Sequence, residues 1–521
     1  MAVAPTQEPV RVAGELRIAV RDDIRTLNPY VAQNSSEQFA MSLLYDTLLD
    51  QEADGTLRPN LAEGWELARD GSSATFWLNP QARWHDGQSV AAEDVAFSFT
   101  FAARHQLPGL AQVITIVDRV EAITPSEVRF TLVALRADAL RLLGTQLRIV
   151  PARLWDEVDD PLAYPNLDGP IGSGPFLFVA HTPEEQLVLR NARGHHVGYG
   201  VDTLVLEILR NDDAGLEALV EGTVDALGWD AAPAIVRAVL DNPDAYGTIR
   251  VAEAPSQQLV ALLLNLRRAP YDNQALRCAL AKALDVQAII AQVAIGWGDT
   301  ATAGLFAPNS PWLNPDIAPI TVDQPQATKE LDAAGFLDRD GDGLREGSDG
   351  SPMRIAIACP ELPAPTRVAE LAAANWQAVG IATEVVAIAQ DAIVPTLVRA
   401  EFDVVVQTMP TSGPETLYSY FHRSRGVLNN GRVTGLNYSG YANPECDDLI
   451  RDCQQELDPS QRQALLNQLQ EILAVDLPLI PLYYPDVLSL YRDDRFQGWS
   501  AQPDVGLLSR ATIANLTVSA D

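Results

Sequence analysis

Short apolar runs alternating with amphipathic stretches constrain this chain more than any other feature. In Glu15-Leu16-Arg17-Ile18-Ala19-Val20, the residues Leu16, Ile18 and Val20 share one face, the period of a strand. Similar runs recur at 74–78, 176–179, 203–208, 262–266, 353–357, 402–407 and 479–484. Between them lie helical stripes: Leu43, Leu44 and Leu48 within 37–49, residues 216–227, Ala279 with Ala283 and Leu284, and Leu449 with Ile450. Strands interleaved with helices predict an α/β fold. At 521 residues the chain is too long for one core, and about 100–200 residues per domain predicts two to four.

The excess of 69 acidic over 37 basic residues, a formal charge of -32, repels nucleic acid and leaves no basic patch to overcome that, so no nucleic-acid partner is expected. No run of about 18 apolar residues exists to span a bilayer. Four cysteines, Cys278, Cys359, Cys446 and Cys453, are too few and scattered for a disulfide framework. Cys446 and Cys453 are expected on one helix, where seven residues rise about 10 Å, beyond disulfide reach. Residues Met1 to Gln7 lack a basic segment followed by an apolar one, so no signal sequence is expected within them.

One stretch carries more identity than the rest: Trp84-His85-Asp86-Gly87, then Ala91-Ala92-Glu93-Asp94-Val95 and Ala96-Phe97-Ser98-Phe99. Asp86-Gly87 is a turn dipeptide, and Glu93 and Asp94 place negative charge at the electropositive start of a helix beginning near Ala92. Val95, Phe99, Ala102 and Ala103 then form its apolar stripe. Other segments join it in chain order: Leu27-Asn28-Pro29-Tyr30, Leu57 to Trp65, Ile171-Gly172-Ser173-Gly174-Pro175-Phe176, Gly222-Thr223-Val224-Asp225-Ala226, Pro270 to Arg277, and Asn437 to Glu445. Together they resemble the family 5 extracellular solute-binding proteins of ABC importers, the oligopeptide, dipeptide and nickel binders.

That resemblance implies a two-lobed periplasmic-binding-protein fold, type II and cluster C-like, with an extra subdomain inserted in lobe 1. Lobe 1 would combine 14–47, 172–256 and 486–521, the inserted subdomain 48–171, and lobe 2 residues 257–485. It implies a monomeric extracytoplasmic receptor, periplasmic or anchored at the cell surface, that closes on a peptide or peptide-like solute and delivers it to permease subunits. An oligosaccharide receptor of the same family is the alternative ligand reading, and a hydrolase on the same fold the alternative class. No Ser-His-Asp, Cys-His or Gly-x-Ser-x-Gly arrangement supports the latter, and no enzyme activity is expected.

Contacts carried over from relatives fall on Gln33, Asn34 and Ser35, after the Leu-x-Pro segment, and on Trp229 and Asp230, after Asp225. Ser256, Gln257 and Gln258 are polar residues before a strongly apolar strand and suit hydrogen bonding to a ligand. Trp297, in a glycine-flanked turn, and Tyr418 and His422, in an aromatic cluster with Tyr420 and Phe421, offer stacking faces that core packing explains equally well. Thr408, Met409, Thr411, Asn437 and Tyr484 complete the candidate set. Peptide-binding relatives commonly carry an Asp that holds the peptide's free amino group where this chain has Pro410; Asp230 or Glu415 could substitute, or the ligand has no ammonium.

Capture requires no cofactor, but one loop has metal-ligand spacing. From Asp338, acids stand at positions 1, 3, 5, 9 and 12 (Asp338, Asp340, Asp342, Glu346, Asp349) with Gly343 at 6, as in a calcium loop. Position 12 is Asp instead of the longer Glu, and a strand pattern follows where a helix should, so a hairpin explains the loop as well as a structural calcium does. His195 and His196, if on a regular strand, point to opposite faces and cannot share a metal, so no nickel role is expected.

Overall fold

The strand Glu15–Val20 buries Leu16, Ile18, Ala19 and Val20 completely, more than its one-faced alternation requires. It is an interior strand, parallel to Thr203–Ile208 along its whole length and to Ala226–Leu227 on the other side, and parallel strands are covered on both faces. The structure is a computed structural model that describes residues 14–52, 55–347 and 350–519. The segment in which no signal sequence is expected and Asp349 therefore lie outside the described residues. Two compact units emerge: the first takes the residues up to Ala254 and those from Val487, the second is Pro255–Asp486.

In the first unit the sheet continues outward from Thr203–Ile208 to Gln186–Asn191 and Phe176–Thr182, both antiparallel. On the opposite side Ala226 pairs with Tyr491, late in the long strand Leu479–Arg492. A separate antiparallel sheet of four strands runs Ala62–Leu67, Ser73–Leu78, Glu127–Leu132, Val117–Thr124. The helix Ala92–Arg104 lies on it, with Phe99 edge-on to Phe130 at 5.8 Å and Phe130 edge-on to Phe76 at 5.9 Å.

Two helices are shorter than their apolar patterns predict. The first is Ser35–Leu44 and stops because its last carbonyl turns to another partner, the N–H of Gly174 at 3.0 Å. Gly172 and Gly174 permit that approach: a Cβ on Gly172 would stand 1.8 Å from the Leu44 carbonyl oxygen, and one on Gly174 2.3 Å from that of Leu43. The second is Asp212–Glu221, ended by Gly222 at φ 71°, the left-handed geometry that glycine supplies at helix C-termini.

The second unit has the strand order Ala382–Ile388, Arg354–Pro360, Val404–Pro410, Gln258–Leu264 and the first half of Leu479–Arg492. Gln258–Leu264 feeds two separate cores. Leu259, Ala261 and Leu263 enter one with Met409, Phe421 and Tyr484, while Val260, Leu262 and Leu264 enter the other with Ile355, Ile357 and Trp376. Such a strand reads as a continuous apolar run. Cys446 and Cys453 share the helix Pro444–Gln455, and all four cysteines are free. No described helix is long and apolar enough to cross a membrane.

Candidate functional site

Open α/β sheets place ligands beyond the carboxyl ends of their strands, because helix N-termini and loop side chains converge there. In the first unit, Arg21 follows Val20, Trp229 follows Ala226–Leu227 by two residues, and Asp212 opens the helix after Thr203–Ile208. These three meet. One Asp212 oxygen accepts the Trp229 indole N–H at 2.6 Å and an Arg21 guanidinium N–H at 2.6 Å, and the guanidinium carbon lies 5.0 Å over the indole. Gly215 completes the seat, since a Cβ there would come within 2.7 Å of the ring. Half-buried Trp229 is thus held in one orientation. Asp230 is exposed, and its Oδ1 accepts the Leu488 N–H at 2.9 Å.

Asn34 caps the helix Ser35–Leu44, its Oδ1 accepting from Glu37 N at 2.8 Å, while Glu37 accepts from the Gln33 and Arg25 N–H groups. Gln33 and Ser35 are exposed beside it. The helix start is therefore rigid, and Gln33 and Ser35 keep free side-chain surface.

In the second unit several candidates converge on one hydrogen-bonded group. Gln258 pairs with Pro410 and Val260 with Thr408, so the amide-rich start of one strand lies beside the end of the other. Thr411 donates through N–H and Oγ1 to the Gln257 carbonyl at 2.8 and 2.9 Å, and the Tyr484 hydroxyl lies 3.4 Å from that Oγ1. Burial pushes the Tyr484 phenol up, so it stays a protonated donor. Thr408 and Pro410 are exposed and Met409 is buried, as alternation demands. Glu415 sits in the first turn of the helix Pro414–Phe421, folded toward Gly413. Trp297 is half-buried just before Gly298–Thr300, which pairs with 483–485 of the long strand.

The rings of Tyr418 and His422 lie 5.0 Å apart, and His422 Nδ1 accepts the Ser424 N–H at 3.2 Å, which leaves the proton on Nε2. Asn437 is consumed by its own turn. Its Oδ1 accepts from Gly440 N, Tyr441 N and Ser439 Oγ, and its Nδ2 donates to the Tyr441 and His422 carbonyls.

The acidic loop is a hairpin whose residues Leu337 and Pro352 both bridge Glu346, and it leads into the strand Arg354–Pro360. Oxygens of Asp338, Asp340 and Glu346 lie within 4.8 Å of one another. Asp342 is not in that group; its Oδ1 takes the Leu344 N–H at 2.8 Å. Asp338 likewise accepts from Gly341 N and Gly343 N, and Glu346 from Arg339 N. Buried Arg345 ties the loop to its surroundings through the Val379 carbonyl and Asp332, each at 2.6 Å.

The strand assumed for His195 and His196 is instead a loop, and their rings lie 4.1 Å apart, tilted by 38°. His195 is fixed by Asp46, Nε2 to Oδ2 3.2 Å. Among the described residues, the only close set of three acid, histidine or cysteine donors is the one in the acidic loop. Arg21, Asp212 and Gly215 had no local signal; they become neighbours only through the parallel pairing of Glu15–Val20 with Thr203–Ile208 and Ala226–Leu227.

Comparison with known proteins agrees with this geometry. The chain is 24% identical to the dipeptide-binding protein of Escherichia coli K12 over 507 residues, 91% of this chain and 90% of the relative. It is 26% identical to the nickel-binding periplasmic protein of the same organism over 354 residues, 66% of this chain and 65% of the relative. A periplasmic oligopeptide-binding protein of an ABC transporter from Thermotoga maritima shares the fold, with a TM-score of 0.85 over 97% of this chain and 99% of that one at 20% identity. The profile of the bacterial extracellular solute-binding proteins, family 5 (middle region) matches residues 56–427, well over half of the chain. A two-unit α/β chain with polar and aromatic side chains gathered near the ends of its strands, and with this match, belongs to the bacterial extracellular solute-binding proteins, family 5.

Proposed function

We propose that the protein is the extracytoplasmic receptor of an ABC importer and that its ligand is a peptide or peptide-like solute. Capture is a population shift in which the solute stabilises a closed form that the permease subunits recognise. The observation that carries this reading is the match to the Escherichia coli dipeptide-binding protein over nine-tenths of both chains. Supporting it are the held indole of Trp229 in the first unit and the Gln257–Thr411–Tyr484 group with exposed Thr408 in the second, neutral partners suited to peptide amides. Gln33, Asn34, Ser35, Asp230, Gln258, Met409, Trp297, Tyr418, His422 and Asn437 belong to the same proposed set, Asn34 and Asn437 as supports of its loops and buried Met409 as packing beneath it. The protein acts as a monomer, without covalent chemistry, and residues 48–171 form a subdomain inserted in the first lobe.

Native mass spectrometry of freshly purified protein tests the ligand class. A series of retained peptide masses is expected; a hexose ladder would replace the reading with an oligosaccharide receptor. A structural calcium held by Asp338, Asp340 and Glu346 is also proposed, on the proximity of their oxygens. Calcium is then expected to raise the melting temperature of the wild type and not of Asp340→Ala. An equal rise in both removes the ion from this loop.

A further inference from the structure

The chain carries one acid in about every seven or eight residues, yet none occurs between Glu415 and Glu445. That acid-free stretch holds Arg423, Arg425 and Arg432. In a protein of charge -32 a local cationic surface needs a cause, and the pairing of each arginine identifies it. Arg423 is neutralised: its Nε lies 2.9 Å from Asp447 Oδ2, and its N–H donates to the same carboxylate. Arg432 is exposed on the hairpin formed with Leu428–Asn429. Arg425 differs from both. Its guanidinium makes no ion pair among the described residues, its Cζ lies 5.8 Å from the Tyr418 ring centroid, and its buried Nε has no hydrogen-bond partner.

A second guanidinium lies under the same loop. Among the described residues Arg267 donates to carbonyls, those of Tyr438 at 2.6 Å, Gly426 at 2.7 Å and Asn437 at 3.2 Å, and has no acid as a partner. The backbone that presents Arg425 is fixed: its N–H donates to the His422 carbonyl at 2.9 Å and its carbonyl accepts the Asn437 N–H at 3.2 Å. Gly435 packs so closely that a Cβ there would stand 2.5 Å from the Arg425 carbonyl oxygen. A held guanidinium with an unused donor, beside the rings of Tyr418 and His422, is a preformed half of a charge-assisted pair. Pro410 itself brings no carboxylate to the strand end, and the nearest acid along the chain, Glu415, is folded toward Gly413.

We propose that Tyr418, His422 and Arg425 form an anion subsite in the second unit, and that the solute carries a carboxylate facing Arg425 and no free ammonium. This rests on the receptor reading above and narrows its ligand to acidic, amine-blocked peptide-like solutes. The net charge of the protein repels such a solute at long range, so recognition depends on the short-range guanidinium.

The test is competition between N-acetylated dipeptides as free acids and the same dipeptides as C-terminal amides, read by native mass spectrometry after desalting. The wild type is expected to retain acid over amide by at least about tenfold. Arg425→Gln is expected to reduce that preference to within about twofold, whereas Arg432→Ala, which removes the same charge from the exposed hairpin, preserves it. A melting curve of Arg425→Gln matching that of the wild type separates lost recognition from lost fold; if this variant melts early, Arg425→Lys takes its place, with a preference reduced but still present. Equal retention of acid and amide by the wild type, or an unchanged preference in Arg425→Gln, overturns the subsite and leaves the receptor reading standing. Retention of neither probe, with peptides of free amine retained instead, overturns the amine-blocked ligand. Retention of no peptide at all overturns both.

Discussion

Alanine at position 46 is expected to destabilise the first unit by about 3–5 kcal/mol, the usual cost of removing one partner from a buried ion pair. Asp46 is fully buried, 2.9 Å from Arg510 Nη2 and 3.2 Å from His195 Nε2. Burial works to raise its pKa, yet Arg510 and His195 together hold the carboxyl well below the usual carboxylate range. The Arg510 contact is poorly aligned for a hydrogen bond and is therefore mostly Coulombic. Without it the carboxylate left to Arg510 is that of Asp50, at 3.9 Å, while Arg148 adds a second buried cation nearby. Denaturant unfolding followed by a probe in the first unit measures the loss, and a change below about 1 kcal/mol would remove Asp46 from this role.

The same cluster sets a pH response. Burial, then the neighbouring His195 and Arg510, holds His196 down at about 4, and burial lowers His85 too. Between pH 6.5 and 4 the unfolded chain takes up protons on these imidazoles that the folded chain refuses, so stability falls as pH falls through that window. Asp50, whose carboxyl burial pushes up, works in the opposite direction, whereas Asp46 adds its own loss below the usual carboxylate pKa. Melting curves from pH 7.5 downward are expected to show the decline beginning near 6.5, and a smaller decline in His196→Asn.

Asp94→Ala is the second large effect, expected at about 2–4 kcal/mol because three donors lose one acceptor. Oδ1 takes the Ala152 N–H at 3.0 Å; Oδ2 takes the Ala91 N–H at 3.1 Å and faces the Trp84 indole N–H at 3.4 Å. One turn on, Ser98 Oγ donates to the Asp94 carbonyl and accepts the Val150 N–H at 3.0 Å. The stretch 84–99 is thus a clip that holds residues 150–152 against the helix Ala92–Arg104. Asp94→Asn keeps one acceptor and should lose roughly half as much, a difference that unfolding curves resolve. If the two variants are equally stable, the clip is not what Asp94 supplies.

How much of this was legible depends on the range of the causes. The strand Thr203–Ile208 and the start of the helix Ala92–Arg104 were readable because alternation and a charged first turn are local. The end of Ser35–Leu44 was not, since it is set by Gly174, 130 residues downstream in sequence numbering. The stripe assigned to Val95, Phe99, Ala102 and Ala103 omitted Ser98 and Phe101, both buried, because the helix is covered on more than one side. Among site residues, polarity before the apolar strand pointed to Gln257, whose carbonyl joins Thr411 and Tyr484. Asn437, in the same candidate set, has its amide spent on its own turn, a use that composition cannot distinguish from ligand binding.

Chain order gives the two units different histories during synthesis. The second unit is one uninterrupted stretch, Pro255–Asp486, so every strand partner it needs has been translated once Asp486 has emerged. The first must wait for residues that follow the second: Ala226 pairs with Tyr491, Asp225 with Arg495, and Asp46 with Arg510. Hundreds of residues therefore separate the first strand from the contacts that complete its sheet, and the N-terminal half stays unfinished while the middle of the chain can already settle. A nascent chain whose Asp486 has just emerged, with the residues after it still inside the ribosome, would carry a complete second unit on an incomplete first one, the opposite of N-terminal-first folding.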